Sequence, residues 1–469
     1  MARKQNRRRS GVLLAASVSA AVLGWASGSS GETLESAIAR AYSGNPSLDA
    51  QRAAVRATDE NVPRALSGYR PSVSLSGTIG ASYSTGVTTS SLGGGDVNFR
   101  RNLFPGTANL NITQNLFNGF RTANTVRQAE SQVLGAREAL RSTEQTTLFN
   151  GAQSYMNVLR DTAILDLQRN NVEVLEEQLR QTRDRFNVGE VTRTDVAQAE
   201  SRLALARSQV SQAESALQSS IASYRQIIGV EPRKLAPGRP VDRLVPRSLS
   251  GAVQIGLEEH PAVISALHAV DVAELQVKVT EGELAPTVNL VGQVSQSFES
   301  SLPGDKTTSA VIGGQVTVPI YTGGEVYARV RQAKETAGQR RIEAEATRDS
   351  VRAAVITSWG ELEAQKANVH AAQAQVKAAE VALVGVREEA RVGQRTTLDV
   401  LNQQQELLNA RVNLITAQRN RVVASFSVVN SIGRLSAQSL GLRTAIYNAK
   451  QHFDQVKDLP WGLRTPDGR

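Results

Sequence analysis

The chain contains no cysteine. That excludes disulfides, thiol nucleophiles, thiolate metal sites and a cysteine-borne lipid anchor. Aromatic residues make up only 4% of the 469 residues and hydrophobic residues 40%, poor material for a large globular core and good material for long helices. The four histidines, His260, His268, His370 and His452, lack metal-ligand spacing. Gly-x-Ser-x-Gly and His-Glu-x-x-His are absent, and Gly93-Gly94-Gly95 lacks the Lys-Ser/Thr of a phosphate loop. The sequence therefore points to no enzyme, no cofactor and no metal.

The formal net charge is +9, but part of it is local. Arg3, Lys4, Arg7, Arg8 and Arg9 precede an apolar run from Gly11 to Trp25, followed by Ala26-Ser27-Gly28-Ser29. A charged start, a short apolar middle and small residues at the end read as a secretory signal peptide over 1–30. As a membrane anchor the run is too short to span comfortably, and no later stretch is long and apolar enough for a transmembrane helix. Without those five charges the remainder is only +4, which removes the main support for a nucleic-acid partner.

What is present is a duplication. Asn187-Val188-Gly189-Glu190-Val191-Thr192-Arg193-Thr194-Asp195-Val196 returns 204 residues later as Arg391-Val392-Gly393-Gln394-Arg395-Thr396-Thr397-Leu398-Asp399-Val400. Leu116-Phe117-Asn118-Gly119 returns at the same offset as Ile320-Tyr321-Thr322-Gly323. Further upstream the offset is 215, as from Pro71, Val73 and Leu75 to Pro286, Val288 and Leu290, so the first copy carries a longer loop before Gly119. A repeat of this length is no solenoid unit. It divides the chain into a signal peptide (1–30), a first repeat (31–230), a linker (231–250), a second repeat (251–436) and a tail (437–469).

Each repeat holds two strand-like stretches. Pro71–Tyr83 alternates Val73, Leu75, Gly77, Ile79 and Ala81 with serines, threonine and glycine, and Ala108, Leu110 and Ile112 alternate with Asn109, Asn111 and Thr113. The second copy gives Pro286–Phe298 and Ala310–Tyr321. Period two with an apolar and a small polar face predicts half-exposed strands. Tyr69, Tyr83, Phe99, Phe104, Phe117, Phe120, Phe298 and Tyr321 flank them, as aromatic residues flank the strands of outer-membrane barrels. Ser84–Asn98 and Ser300–Thr308 read as loops. The stretch from Arg121 to Val188 lacks proline and predicts a helix of roughly 100 Å. Val158, Leu165, Val172, Leu179 and Phe186 fall every seventh residue, and their counterparts are Leu362, Val369, Val376, Leu383 and Ala390. The return segments carry Val196, Leu203, Val210 and Leu217, and Val400, Leu407 and Leu414. Sustained heptads predict coiled-coil packing.

Four strands cannot close a barrel, since small membrane barrels use about eight. An open sheet edge cannot stand in lipid. Strands of this kind in a membrane require several chains to share one barrel, in a number the argument does not fix.

The signal peptide, the doubled helix–strand–strand–long-helix unit, and the Val-Gly turns followed by Thr-Asp-Val or Thr-Leu-Asp-Val resemble the TolC family of outer-membrane efflux and secretion channels. The resemblance covers roughly Glu32 to Gln438. It implies an α+β membrane protein and a homotrimer. Twelve strands would form one outer-membrane β-barrel, continued by a periplasmic α-helical barrel. The linker and tail would form a belt around the helices. The implied partners are outer-membrane lipid, a periplasmic adaptor (membrane fusion protein) and an inner-membrane transporter, and the cargo proteins or small toxic compounds. The missing lipid-bearing cysteine leans towards type I protein secretion. The alternative from another class is a secreted coiled-coil scaffold protein.

The resemblance also assigns residues. Arg395 would meet Thr194 and Asp195 on the neighbouring coiled coil to close a periplasmic gate. Asp399 would face the lumen. Asn402 stands one turn on, where some members carry a second acid, and Ala390 where an aromatic gate partner can occur. The tips Val188-Gly189-Glu190 and Val392-Gly393-Gln394 would dock the adaptor. Read without the resemblance, Thr192-x-x-Asp195 and Thr396-x-x-Asp399 are helix N-caps with an acid favoured by the helix dipole, and the Val-Gly turns are helix stops. Asp195 remains open to both roles.

Overall fold

The computed structural model describes residues 31–88 and 95–468. The expected signal peptide, and the segment 89–94 of the first expected loop, lie outside them. Three short helices, α1 (Leu34–Gly44), α2 (Pro46–Asp59) and α3 (Asn61–Leu66), lead to strands β1 (Ser72–Ile79), β2 (Ser82–Thr88), β3 (Val97–Leu103) and β4 (Gly106–Phe117). Helices α4 (Arg121–Asn187) and α5 (Arg193–Ile228) complete the first repeat. The second follows as α6 (Leu249–Glu259), α7 (Pro261–Glu281), β5 (Thr287–Phe298), β6 (Lys306–Thr317), α8 (Glu325–Arg391) and α9 (Thr397–Ser431). A last helix, α10 (Ala449–Val456), lies in the tail.

The strands form an antiparallel sheet in the order β1-β4-β5-β6, with β2 and β3 as a separate hairpin. Three expectations are corrected here. The first predicted strand, Pro71–Tyr83, is broken at Gly80–Ala81 into β1 and β2, while the second, Ala108–Thr113, lies whole within β4. The break falls opposite Pro105, which has no N–H for the ladder. Its carbonyl still accepts from the Gly80 N–H at 2.9 Å. The loop expected at Ser84–Asn98 is shorter, since Ser84–Thr88 and Val97–Asn98 pair as strand. In the second repeat β6 starts at Lys306, inside the expected loop, and stops at Thr317 rather than Tyr321, two residues before Pro319.

Register places apolar residues side by side: Val73 opposite Ile112, Leu75 opposite Leu110, Leu110 opposite Val294, and Val288 opposite Val316. This row is open to the surroundings, with Val73, Leu75, Val294, Ile312 and Val316 exposed. Hydroxyls pair elsewhere in the ladder, Thr78 with Thr107 at 2.6 Å and Ser295 with Ser309 at 2.7 Å. Where strands meet helices, Tyr69, Phe117, Phe120 and Tyr321 are exposed, and the rings of Phe117 and Phe120 meet edge to face at 5.4 Å. Phe104 and Phe298 are exposed at the opposite end of the sheet.

Helices α4 and α8 each run 67 residues, about 100 Å. Each folds back on the helix after it, α5 or α9, and α7 lies between α4 and α8 to join the repeats. The duplication reaches the ion pairs: Arg207–Glu176 across α4/α5 recurs as Arg411–Glu380 across α8/α9, both at 2.7 Å. Among the described residues no helix is long and apolar enough to cross a membrane.

The largest core sits midway along the helices. Leu34, Ile38 and Tyr42 of α1, Tyr155 of α4, Tyr224 of α5 and Phe426 of α9 pack there with Leu435, just after α9, and with Leu440 and Leu442 of the tail. Leu235, Val241 and Leu244 of the linker lie against it. The Tyr155 hydroxyl reaches the carbonyls of Glu32 at 2.7 Å and Ala236 at 2.6 Å, so one α4 side chain fixes both the segment before α1 and the linker. The tail returns to the first helices, with the Tyr447 N–H donating to the Tyr42 hydroxyl at 3.1 Å. His452 Nδ1 stands 3.0 Å from the fully buried carboxylate of Asp59.

Gly119 shows how closely the repeats approach. It turns β4 into α4 at φ +65°, and a Cβ there would stand 2.4 Å from the Gly282 carbonyl oxygen at the end of α7. Gly189 has φ +80° but open space around it. Gly189→Ala should cost only the left-handed backbone, about 1–2 kcal/mol. Gly119→Ala adds a backbone clash and should cost about 3 kcal/mol or more. Thermal midpoints of the detergent-solubilised variants check that order.

Candidate functional site: the two helical tips

The far ends of the hairpins are built twice from one recipe. After α4, the Gly189 N–H donates to the Phe186 carbonyl at 2.9 Å and the Glu190 N–H to that of Arg185 at 2.9 Å. After α8, Gly393 donates to Ala390 at 3.2 Å and Gln394 to Glu389 at 2.9 Å. Both glycines are left-handed, at φ +80° and +79°, which satisfies the last helical carbonyls and stops the helix. The next helix opens on a reciprocal cap. The Thr192 hydroxyl accepts from the Asp195 N–H at 3.3 Å, while the Asp195 carboxylate accepts from the Thr192 N–H at 2.9 Å and hydroxyl at 2.7 Å. Thr396 and Asp399 repeat the arrangement at 3.2, 2.9 and 2.9 Å. These donors hold both carboxyls below the usual carboxylate range: chiefly the Thr192 hydroxyl for Asp195, chiefly the Thr396 N–H for Asp399. Both acids therefore stay charged at neutral pH while they cap their helices.

The two tips carry the same kind of ion pair in opposite order. In the first, Arg185 on the helix holds Glu190 in the turn at 2.6 Å. In the second, Glu389 on the helix holds Arg395 at 2.8 Å. Within the chain Arg395 is thus bound to its own hairpin rather than to Thr194 and Asp195, and Thr194 is exposed. Val188 and Val392 project exposed from the tips.

The contact between hairpins lies one turn above the second tip. Asn402 accepts a hydrogen bond from Arg202 Nη2 at 2.7 Å, joining α9 to α5. Beside it Leu401 is only 2% exposed, seated among Leu175, Leu179, Ala199, Leu203 and Ala206 of the other hairpin. Sequence reasoning missed Leu401, Arg202, Arg185 and Glu389. A signal for Leu401 existed. In α9 the heptad residues Val400 and Leu407 are each followed by a leucine, Leu401 and Leu408, and all four are buried. The matching positions in α5 are Ala197 and Ala204, and both are exposed. Helix α9 carries two apolar columns, one for its own hairpin and one for its neighbour.

Comparison with known proteins fits this geometry. A family model described as outer membrane efflux protein matches residues 37–230 and 252–434. The outer membrane efflux protein BepC of Brucella suis is 42% identical over 440 residues, 93% of each chain. The outer membrane protein TolC of Escherichia coli is 27% identical, over 89% of this chain and 85% of its own. The alkaline protease secretion protein AprF of Pseudomonas aeruginosa is 25% identical over 67% of each. In fold, the structure is like that of the Campylobacter jejuni outer-membrane channel CmeC, with a TM-score of 0.74 at 17% identity, covering 91% of this chain and 89% of that one.

The caps make a test of their own. Thr192→Ala and Thr396→Ala should each cost about 1 kcal/mol of local stability, read as faster amide exchange in the first turn of α5 or α9. A carboxyl with a lowered folded value contributes stability that is complete above its unfolded value and is lost as pH falls through the folded one. Exchange at the start of α9 should therefore differ between wild type and Asp399→Asn at pH 7. The difference should vanish at pH values below the lowered one, where the wild-type carboxyl is itself protonated.

Proposed function

The chain belongs to the outer membrane efflux protein family, whose members are channels of the outer membrane, and from that premise we propose how it works. The sheet forms one third of a twelve-stranded barrel in a homotrimer, and the hairpins form a helical tunnel through the periplasm. The observation that carries this reading is the exposed apolar row across a four-stranded sheet at the end of helices about 100 Å long. Lipid suits that row, and only further strands can pair the free edges of β1 and β6 inside lipid. A scaffold protein has no use for either feature.

In the working channel the tips Val188-Gly189-Glu190 and Val392-Gly393-Gln394 meet a periplasmic adaptor, which links the tunnel to an inner-membrane transporter. The cargo is proteins or small toxic compounds. AprF is named for protease secretion and BepC for efflux, and the missing lipid-bearing cysteine favours type I protein secretion here. Asp399, charged and near the end of the tunnel, contributes one carboxylate per chain to an acidic ring. Closure rests on contacts between hairpins. Within a chain these are the seated Leu401 and the Arg202–Asn402 hydrogen bond. Between coils they include Arg395, released from Glu389, reaching towards Thr194 and Asp195.

Single-channel recording in planar bilayers tests the gate. Leu401→Ala should raise the open fraction most, since an unfilled leucine site costs about 2–5 kcal/mol. Arg202→Ala should raise it less, because a hydrogen bond from a charged group is worth ~1.5 kcal/mol where solvent reaches it. Arg395→Ser should also raise conductance, whereas Asp399→Ala should chiefly lower cation preference. Conductance equal to wild type in the Leu401, Arg202 and Arg395 variants would reject this gate.

A further inference from the structure

The last residues of the tail make an excursion that the channel reading leaves unused. Helix α10 is pinned beside α2, α3 and α4: His452 contacts Asp59, and Phe453 packs with Val62, Ala129 and Val133. Beyond it the chain runs to the base of the sheet. Arg70, the second residue before β1, donates from Nη1 to the Leu459 carbonyl at 3.1 Å and from Nη2 to the Asp458 carbonyl at 3.3 Å. The chain then returns towards α2, where Asp467 lies 3.7 Å from Arg56. Trp461 and Leu463 sit between these anchors. Trp461 is 87% exposed and Leu463 fully so, with Leu459 about half exposed. Gly462, at φ 128°, lets the chain turn between the two apolar residues.

The position decides what such a patch meets. Arg70 follows Tyr69, and Tyr69 is tied to β4 by Gln114, whose Nε2 donates to its carbonyl at 2.9 Å. Tyr69 belongs with Phe117, Phe120 and Tyr321 to the exposed aromatic residues at the helix-facing end of the sheet. In a membrane barrel that end is the interface, where tryptophan is enriched and arginine meets phosphates. The backbone at Asp458 and Leu459 is thereby held within an arginine side chain's reach of this girdle, with Trp461 two residues further on and Arg464 after Leu463.

We propose that the segment 458–464 is an interfacial anchor. It lays Trp461 and Leu463 into the periplasmic-leaflet phospholipid beside β1, holding the helical part of the channel to the membrane without a lipidated cysteine. This rests on the reading that the sheet lies in the outer membrane. An apolar patch of this size, carried on a firmly pinned segment, adds a peripheral hold beside the barrel's own insertion.

The tryptophans allow a direct test. The sequence has three, Trp25, Trp359 and Trp461; Trp25 lies in the expected signal peptide, so in the processed chain the variant W359F leaves Trp461 as the sole emitter. It is reconstituted into vesicles of phosphatidylethanolamine and phosphatidylglycerol whose acyl chains are brominated near the headgroup. Trp461 emission should shift to the blue relative to its water-exposed value, lose most of its intensity to the brominated lipid, and resist aqueous acrylamide. Water-like emission untouched by bromine overturns the anchor. Blue-shifted emission that bromine leaves intact overturns it as well, because a neighbouring copy of the chain then covers the tryptophan. Trp359 lies against buried residues of α8 and α9, so W359F itself could disturb folding. In that case the difference in bromine quenching between wild type and W461F isolates the same signal, and its absence overturns the proposal. Flotation of the vesicles separates the two levels of failure. Protein that floats with an unquenched Trp461 refutes the anchor alone, and protein that does not float refutes the membrane reading beneath it.

Discussion

The structure depends on one unmet requirement, the unpaired backbone at the two edges of the sheet. β1 and β6 each present a row of N–H and C=O groups, and beside them runs an apolar face left uncovered by the described residues. Water would satisfy the edges and leave the face exposed. Lipid covers the face and leaves the edges without partners. Neighbouring strands in lipid resolve both together. In the proposed assembly the long helices inherit the consequence, because hairpins that continue from a shared sheet would stand around a common axis. The double apolar column of α9 suits that arrangement, with Val400 and Leu407 facing one packing partner and Leu401 and Leu408 available to another.

The midway core keeps the two repeats in fixed relation. It draws on α1, α2, α4, α5, α9, the linker and the tail, so neither repeat closes it alone. Tyr155 shows how: its ring lies in the core and its hydroxyl meets carbonyls from two separate stretches of chain. Burial in this core raises its pKa, and the group stays neutral. Above and below, the helices are held by narrow seams of small residues, by Gln145, whose Nε2 donates to the Gly433 carbonyl at 2.6 Å, and by partly exposed ion pairs. Such pairs add little stability each, but their recurrence at the repeat spacing marks a common register.

Much of this was legible in the sequence because local rules carried it. The Val-Gly turns, the Thr-x-x-Asp caps, the heptads and the strand alternation depend on residues a few positions apart. The break between β1 and β2 was missed because Gly80 sits inside an alternation that otherwise continues, and Pro105, which faces it, lies outside both predicted stretches. At the tips, heptad reasoning marked one seam per helix, so Leu401 fell outside it. The pairing of Arg395 with Glu389 is six residues away in sequence, across a turn, outside the spacings that helix-face reasoning uses. Asn402 matters through Arg202, 200 residues distant, and nothing local identifies that partner.

The tail's contacts join opposite ends of the chain. Tyr447 meets Tyr42 at a separation of 405 residues, and His452 meets Asp59 at 393. Contacts this distant in sequence close late, since the loop entropy they remove must be offset by structure already in place. Until the tail docks, Asp59 lacks its histidine partner and α2 and α3 lack their cover. The long hairpins α4/α5 and α8/α9 make their own contacts apart from this joint. This joint couples the ordering of the helices beneath the sheet to the docking of the tail.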